Sequence, residues 1–239
     1  MDFSYDGSMF NGYERQKNLH TVQGVIEDVL TSVNGNKKVN IYASGRTDKG
    51  VHARHQMAHF NLDKDIKLYG IKDLINKKCE GIYVNSIKKV NDKFHARYDV
   101  RAKTYSYYIN TKDYDVFKRN YVYQYNKKLD INAIKKASSC LLGEHNFKSF
   151  CNGSKEKENF IRNISTISIE DNDGIVKISI TGNGFLRSMV RNIVGVMLDI
   201  GSGKKDISYM EYVLNLCDRK SFIVKSAYSG GLYLEEVLY

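Results

Sequence analysis

The stretch TVQGVIEDVLTSV, residues 21–33, carries the clearest secondary-structure signal in this 239-residue chain. Its apolar residues recur every three or four positions and predict the buried face of a helix: Val22, Val25, Ile26, Val29, Leu30 and Val33. Thr21 can cap this helix, because a threonine oxygen accepts a backbone N–H at a helix start. The flanking β-prone segments predict strands at 3–5, 39–43, 55–60 and 82–90, and a second helix at 67–78.

The same order of elements recurs in the second half of the chain. We predict a strand at 103–109, a helix at 131–142, a hairpin around the DNDG turn at 171–174, helices at 189–197 and 209–216, and a last strand at 231–239. The sequence therefore predicts an α+β protein of two ferredoxin-like (split βαβ) halves, residues 1–100 and 101–239. Their antiparallel sheets are expected to face each other across a cleft.

The charge balance favours a polyanionic partner. The chain has 37 Lys plus Arg against 27 Asp plus Glu, a formal net charge of +10. Such a field attracts nucleic acid, although a biased composition rich in Lys, Asn, Ile and Tyr would be basic without any such target. The four cysteines form no CxxC pair, which predicts free thiols in a reducing cytosol. With no apolar run of about 20 residues and no signal-peptide pattern, we expect a soluble cytoplasmic protein.

Three short motifs do not complete a known binding pattern. GSGKK at 201–205 lacks the first glycine and the Ser or Thr of a phosphate loop, and TGNGFLR has an arginine where a dinucleotide fingerprint needs glycine. His52, His55 and His59 have no acidic or cysteine ligand near them in sequence. We therefore expect no metal at these histidines and no nucleotide bound by either glycine-containing loop.

Three groups of residues are candidates for a site. The GRTD turn holds Asp48 after a predicted buried strand, as a functional carboxylate or as a turn residue bonding its own backbone. In FLRSMVRNIVG, Arg187 and Arg191 are predicted to share one helical face, either to bind a carboxylate or phosphate or simply to face solvent. A strand tyrosine such as Tyr105 can stack on an unpaired base or merely pack in the sheet.

Six blocks of sequence, taken together and in order, resemble the TruA-type tRNA pseudouridine synthases. They are YDGSMFNGYERQ, ASGRTDKGVHA, FHARYDVRAKTYSYYI, CLLGEHNFKSF, NGFLRSMVRNIVG and GLYLEEV, and they span nearly the whole chain. The resemblance implies isomerisation of uridine to pseudouridine in the anticodon stem-loop of tRNA, at positions 38–40. It also implies a homodimer that uses no cofactor and no metal. The alternative is a catalytically inactive tRNA-binding protein with the same fold.

The resemblance also implies roles for individual residues. Asp48 would be the catalytic aspartate and Arg191 its partner, while Arg46 would assist entry of the target nucleotide. Tyr105 would stack on the uracil, Leu232 would line the pocket, and Arg187 is a further substrate-binding candidate. The chain departs from the usual family pattern in four places, which bear on substrate range and affinity: Tyr13, Glu14, Lys49 and His55.

Overall fold

The computed structural model describes residues 1–153, 159–218 and 225–239 and shows a mixed α and β fold, in agreement with the predicted α+β class. The chain forms two compact units, one of residues 1–101 with 233–239 and one of residues 102–232. No helix within the described residues is both long and apolar enough to cross a lipid bilayer.

The first unit is a sheet with two helices. Its elements are β1 (Asp2–Tyr5), α1 (Val22–Val33), β2 (Tyr42–Ala43), β3 (His52–His59), α2 (Leu68–Lys78), β4 (Ile82–Ser86) and β10 (Leu232–Leu238). The strand order is β4-β1-β3-β10, and β2 also pairs with β3. β1 is antiparallel to β4 and β3, while β10 runs parallel to β3. The helices supply buried apolar side chains to the core of this unit: Ile26, Leu30, Ile71 and Ile75.

The predicted helix at 21–33 is confirmed, and the hydroxyl of Thr21 accepts the backbone N–H of Gly24 at 3.2 Å. The strand predicted at 39–43 is shorter than expected, because α1 side chains bind its backbone. Ile41 N donates to Glu27 at 3.0 Å and Val39 N donates to Thr31 at 3.1 Å. Only Tyr42 and Ala43 are therefore left to pair with β3.

Two further strand bounds differ from the prediction. β3 begins at His52 rather than at residue 55, and β4 ends at Ser86 rather than at residue 90. The observed end of α2 agrees with the predicted one. Gly81 follows the helix with a φ of +78°, a conformation in which glycine carries no steric penalty.

In its described residues, the second unit is a mainly antiparallel sheet with three helices. Its elements are β5 (Ala102–Asn110), β6 (Tyr123–Gln124), α3 (Ile131–Ser138), β7 (Gly143–Asn146), β8 (Ile161–Asn172), β9 (Ile175–Gly182), α4 (Met189–Gly201) and α5 (Tyr209–Leu216). The strand order is β5-β9-β8-β7, and β6 runs parallel to β5. The hairpin predicted at 171–174 is confirmed, with Asp171 accepting the backbone N–H of Gly174 at 2.8 Å.

The last strand differs from the sequence-based division of the chain. The prediction assigned this strand to the second half of the chain, residues 101–239. In the structure, Tyr233 and Leu234 pair with His52 and Ala53 of β3, and residues 233–239 belong to the first unit.

Candidate functional site

The GRTD turn lies between β2 and β3 and is anchored through Thr47. The side chain of Thr47 is buried, and its hydroxyl shares a hydrogen bond of 2.8 Å with the hydroxyl of Tyr5 on β1. The carbonyl of Thr47 accepts the backbone N–H of Tyr13 at 3.1 Å. The next residue, Asp48, is half-buried, and its carbonyl accepts Val51 N at 3.1 Å. The backbone is therefore held on both sides of the carboxylate.

Gln56 on β3 adds a second anchor behind this turn. Its side chain is fully buried, accepts the hydroxyl of Ser44 at 2.7 Å and donates to the carbonyl of Gly45 at 3.0 Å. Burial also raises the pKa of Tyr5 to about 12, so the Tyr5 hydroxyl stays protonated at neutral pH. The turn that carries Asp48 thus rests on neutral hydrogen-bonding groups.

Two arginines near the turn in sequence, Arg46 and Arg54, have carboxylate partners of their own. Arg46 Nη1 lies 2.7 Å from Glu14 Oε1. Arg54 Nε lies 3.1 Å from Glu235 Oε2, and its guanidinium lies 5.1 Å from the centre of the Tyr233 ring.

The three tyrosines of β5 have different surroundings. Tyr105 is 8% exposed, and its ring meets Phe185 edge-on with 5.1 Å between ring centroids. Tyr107 is fully buried and donates its hydroxyl to the carbonyl of Tyr228 at 2.6 Å. Tyr108 is half-buried, with Lys177 Nζ 5.8 Å from its ring centroid. Tyr107 therefore packs as a core residue, while the ring of Tyr105 is held against Phe185 and Tyr108 is the most exposed of the three.

Arg187 and Arg191 do not share a helical face, so that prediction is wrong. α4 begins at Met189, and Ser188 before it has a φ of +58°, the left-handed conformation. This breaks the helical continuity between the two arginines and places Arg187 in the turn that precedes α4.

Arg191 is fixed at the start of α4 by the segment around Ala227. Its Nε donates to the carbonyl of Ala227 at 2.9 Å, and its own carbonyl accepts Ala227 N at 3.0 Å. The neighbouring Asn192 is fully buried, donates to the carbonyl of Phe150 at 2.7 Å and accepts the hydroxyl of Ser226. Leu232, the first residue of β10, is 5% exposed.

Sequence reasoning did not identify Gln56 and Asn192 as supporting residues. Asn192 is an amide within the apolar helix pattern MVRNIVGVML, which is a usable signal because buried polar side chains need partners, whereas Gln56 lies in the polar stretch HARHQMAH and gives no such signal. The partners themselves lie 12 and 42 residues away, at Ser44 and Phe150, and only the fold brings them close.

The three histidines considered for a metal have separate protein partners. His52 Nδ1 accepts Gly7 N at 3.0 Å, His55 binds Asp2 at 3.2 Å, and His59 Nδ1 accepts Ala96 N at 3.1 Å. Within the described part of the chain, no group of three or more His, Cys, Asp or Glu side chains is arranged to hold a metal ion. All four cysteines are free, as their spacing predicts.

Comparison with known proteins gives full-length matches. A family model described as tRNA pseudouridine synthase matches residues 3–99 and 137–239. Three similar proteins are named tRNA pseudouridine synthase A or A 2. That of Malacoplasma penetrans is 43% identical over 100% of this chain and 98% of its own length. That of Listeria monocytogenes is 41% identical over 99% and 96%, and one of Bacillus cereus is 37% identical over 99% and 97%.

The likeness to a solved structure is much weaker. The structure titled "Crystal Structure of a Cbf5-Nop10-Gar1 Complex" aligns with a TM-score of 0.33 and 12% identity. The alignment covers 84% of this chain and 45% of that chain. The similarity to known proteins therefore rests on the sequence matches.

Proposed function

This chain belongs to the tRNA pseudouridine synthase family, and on that premise we propose that it isomerises uridine to pseudouridine in tRNA. The observation that carries the proposal is the 43% identity to a named synthase along the whole chain. We place the target uridines in the anticodon stem-loop, at positions 38–40, as the resemblance of the six sequence blocks implies.

The proposed catalytic group is the carboxylate of Asp48. In the reaction the uracil leaves C1′ of the ribose, rotates and reattaches through carbon, so the enzyme needs a group beside the sugar. A carboxylate can add covalently to the sugar or remove a sugar proton. Both roles need a fixed position, because small displacements of a reacting group are costly in rate. The anchors at Thr47 and Gln56 support this assignment.

Arg191 is the proposed guanidinium that stabilises negative charge during the reaction. Its side chain is oriented by the hydrogen bond from Nε to Ala227 O, and a preoriented cation is most effective where charge develops in a water-poor site. Asn192 and Ser226 position this segment through buried hydrogen bonds.

The target base must leave its stack before it can react, at a cost of a few kcal/mol. We assign Tyr105 to stacking on the flipped uracil, since Phe185 fixes the orientation of its ring. Arg46 assists entry of the nucleotide, Leu232 lines the pocket, and Arg187 contacts the substrate. The net charge of +10 favours a basic cleft in which phosphate contacts supply much of the affinity.

We further propose two ferredoxin-like halves, a homodimer and a cytoplasmic location where tRNA is found. The first unit supports the proposed topology, because its path β4-β1-β3 with β2 also on β3 has the order expected for a split βαβ unit. In the second unit, β5, α3, the β8–β9 hairpin and α4 follow in the corresponding order, with the short strands β6 and β7 between them and α5 after them.

The test is to incubate the protein with an unmodified tRNA transcript and map pseudouridine by position. We expect product at one or more of positions 38–40 with the wild type and none with Asp48→Asn, while tRNA binding by the variant stays within about twofold. Asp63→Asn is the matched control, since Asp63 is an exposed carboxylate paired with Lys37 in the same unit. Binding without product by the wild type, or full activity of Asp48→Asn, would contradict the proposal.

A further inference from the structure

The guanidinium of Arg46 is engaged by a carboxylate. Glu14 Oε1 lies 2.7 Å from Arg46 Nη1, and the two side chains are 54% and 57% exposed. Arg46 stands two residues before Asp48, so the pair lies on the turn that carries the proposed catalytic carboxylate.

Glu14 is held in this position by the residues on either side of it. Tyr13 N donates to the carbonyl of Thr47 at 3.1 Å. Arg15 N donates to Gln23 Oε1 at 3.0 Å, and Arg15 Nε donates to Glu27 Oε2 at 2.6 Å. Glu27 is itself buried, so this side of the pair is anchored in the core of the unit.

Arg46 is held from the other side in the same manner. Gly45 before it accepts the amide of Gln56 at 3.0 Å, and Thr47 after it is bound to Tyr5 at 2.8 Å. The Glu14–Arg46 pair therefore joins two anchored backbone segments, and its geometry follows from them.

The pair contributes little to folding, because exposed ion pairs are weak and are screened by salt. The pair matters instead for the binding of RNA. An RNA phosphate that contacts Arg46 must displace the carboxylate of Glu14 and then tolerate a negative charge a few Å away, which opposes binding. An exposed pair of this kind is strong enough to change an equilibrium constant by about fivefold at most.

We propose that Glu14 sets the affinity for RNA by competing with a substrate phosphate for the guanidinium of Arg46. The inference rests on the proposed function and adds to it a residue that weakens substrate binding. Binding of tRNA exchanges the carboxylate for a phosphate, and the released Glu14 side chain turns to solvent, where it is already half exposed.

The test is Glu14→Gln, which removes the charge and keeps the size of the side chain. We expect the Kd for an unmodified tRNA transcript to fall by about two- to fivefold, with kcat within about twofold of wild type. The slope of log K against log salt concentration should differ from that of the wild type by less than the roughly 0.7 to 0.9 that one phosphate contact contributes, because Arg46 contacts the phosphate in both proteins. Asp63→Asn changes the net charge by the same amount at an exposed pair and should leave Kd nearly unchanged.

A double-mutant cycle with Arg46→Gln separates a local effect from a general one. If Glu14 acts through Arg46, Glu14→Gln has no effect on Kd in the Arg46→Gln background. The inference is overturned if Glu14→Gln binds no more tightly than Asp63→Asn, binds more weakly than wild type, or tightens binding equally without Arg46. Absence of pseudouridine with the wild type would instead refute the proposed function, so the two failures are distinguishable.

Discussion

Replacing Gln56 by leucine would remove the amide that supports the turn of Asp48 while keeping a side chain of similar volume. In the wild type this amide accepts the hydroxyl of Ser44 at 2.7 Å and donates to the carbonyl of Gly45 at 3.0 Å. Both Gln56 and Ser44 are fully buried, so water cannot easily replace the partner that Ser44 loses, whereas the carbonyl of Gly45 is only half-buried.

The expected loss of folding stability in Gln56→Leu follows from these two contacts. Leaving a buried donor or acceptor unpaired costs about 1–3 kcal/mol, which applies to the Ser44 hydroxyl, and the half-buried Gly45 carbonyl adds at most the same amount. The greater hydrophobicity of leucine returns roughly 1–2 kcal/mol of this. We expect the free energy of unfolding of Gln56→Leu to be lower by up to about 5 kcal/mol, with a fall in Tm of about 2–4 °C per kcal/mol for a chain of this size.

The assay compares kcat with stability in two matched variants. Asn34 is a buried amide in the same unit that also binds backbone groups, with Oδ1 accepting Asp63 N at 2.9 Å and Nδ2 donating to Lys37 O at 3.3 Å. Asn34→Leu should lose a similar amount of stability in urea denaturation, with an unchanged m value, and keep its kcat. Gln56→Leu should lose at least tenfold in kcat under conditions where both variants are folded.

Two results would refute the positioning role of Gln56. If Gln56→Leu is destabilised but keeps the wild-type kcat, Gln56 stabilises the unit without positioning Asp48. If both variants lose kcat equally, the loss reflects general loosening of the first unit.

Two further predictions concern buried tyrosines. The pKa of Tyr5 is raised to about 12 by burial, against about 10 in the unfolded chain, so its contribution to stability is complete below pH 10 and is lost as pH rises to 12. By linkage the loss in the free energy of unfolding is about 3 kcal/mol. Urea denaturation between pH 10 and pH 12 should therefore show a smaller decline in this free energy for Tyr5→Phe than for the wild type. An equal decline would mean that Tyr5 ionises normally. Tyr13 is 2% exposed, and within the described residues its hydroxyl has no hydrogen-bond partner. Tyr13→Phe should therefore be neutral or stabilising by about 1–2 kcal/mol, and a clear loss of stability in the same assay would show that the hydroxyl is paired.

The helices were predictable because their signal is local. The apolar spacing of residues 21–33 and the capping threonine lie within one segment, and the structure reproduces both as α1 and its Thr21 cap. The hairpin at 171–174 was predictable for the same reason, since its turn is encoded by neighbouring residues.

The features that sequence did not predict depend on distant or conformational detail. β2 is short because Glu27 and Thr31 bind the backbone of Ile41 and Val39, which were predicted to belong to the strand. These side-chain hydrogen bonds join residues 14 and 8 positions apart, so no periodic pattern in the sequence indicates them. The helical face assigned to Arg187 and Arg191 fails at one residue, because Ser188 takes a positive φ that serine adopts rarely. The roles of Asp48, Arg46 and Tyr105 came from resemblance, and they stay predictions until the assays are done.

The choice of residues behind the GRTD turn has a physical reason. Ser44, Thr47 and Gln56 are buried polar side chains at a place where apolar residues could pack, and burying polar groups brings little net stability even when they are paired. A satisfied hydrogen-bond network does, however, specify one arrangement of the backbone more sharply than apolar contacts do. A carboxylate that must meet a sugar carbon needs such precision, within about 0.5 Å. Positioning of Asp48 in its proposed role therefore explains the network better than stability does, and we expect kcat, rather than the free energy of unfolding, to distinguish Gln56→Leu from Asn34→Leu.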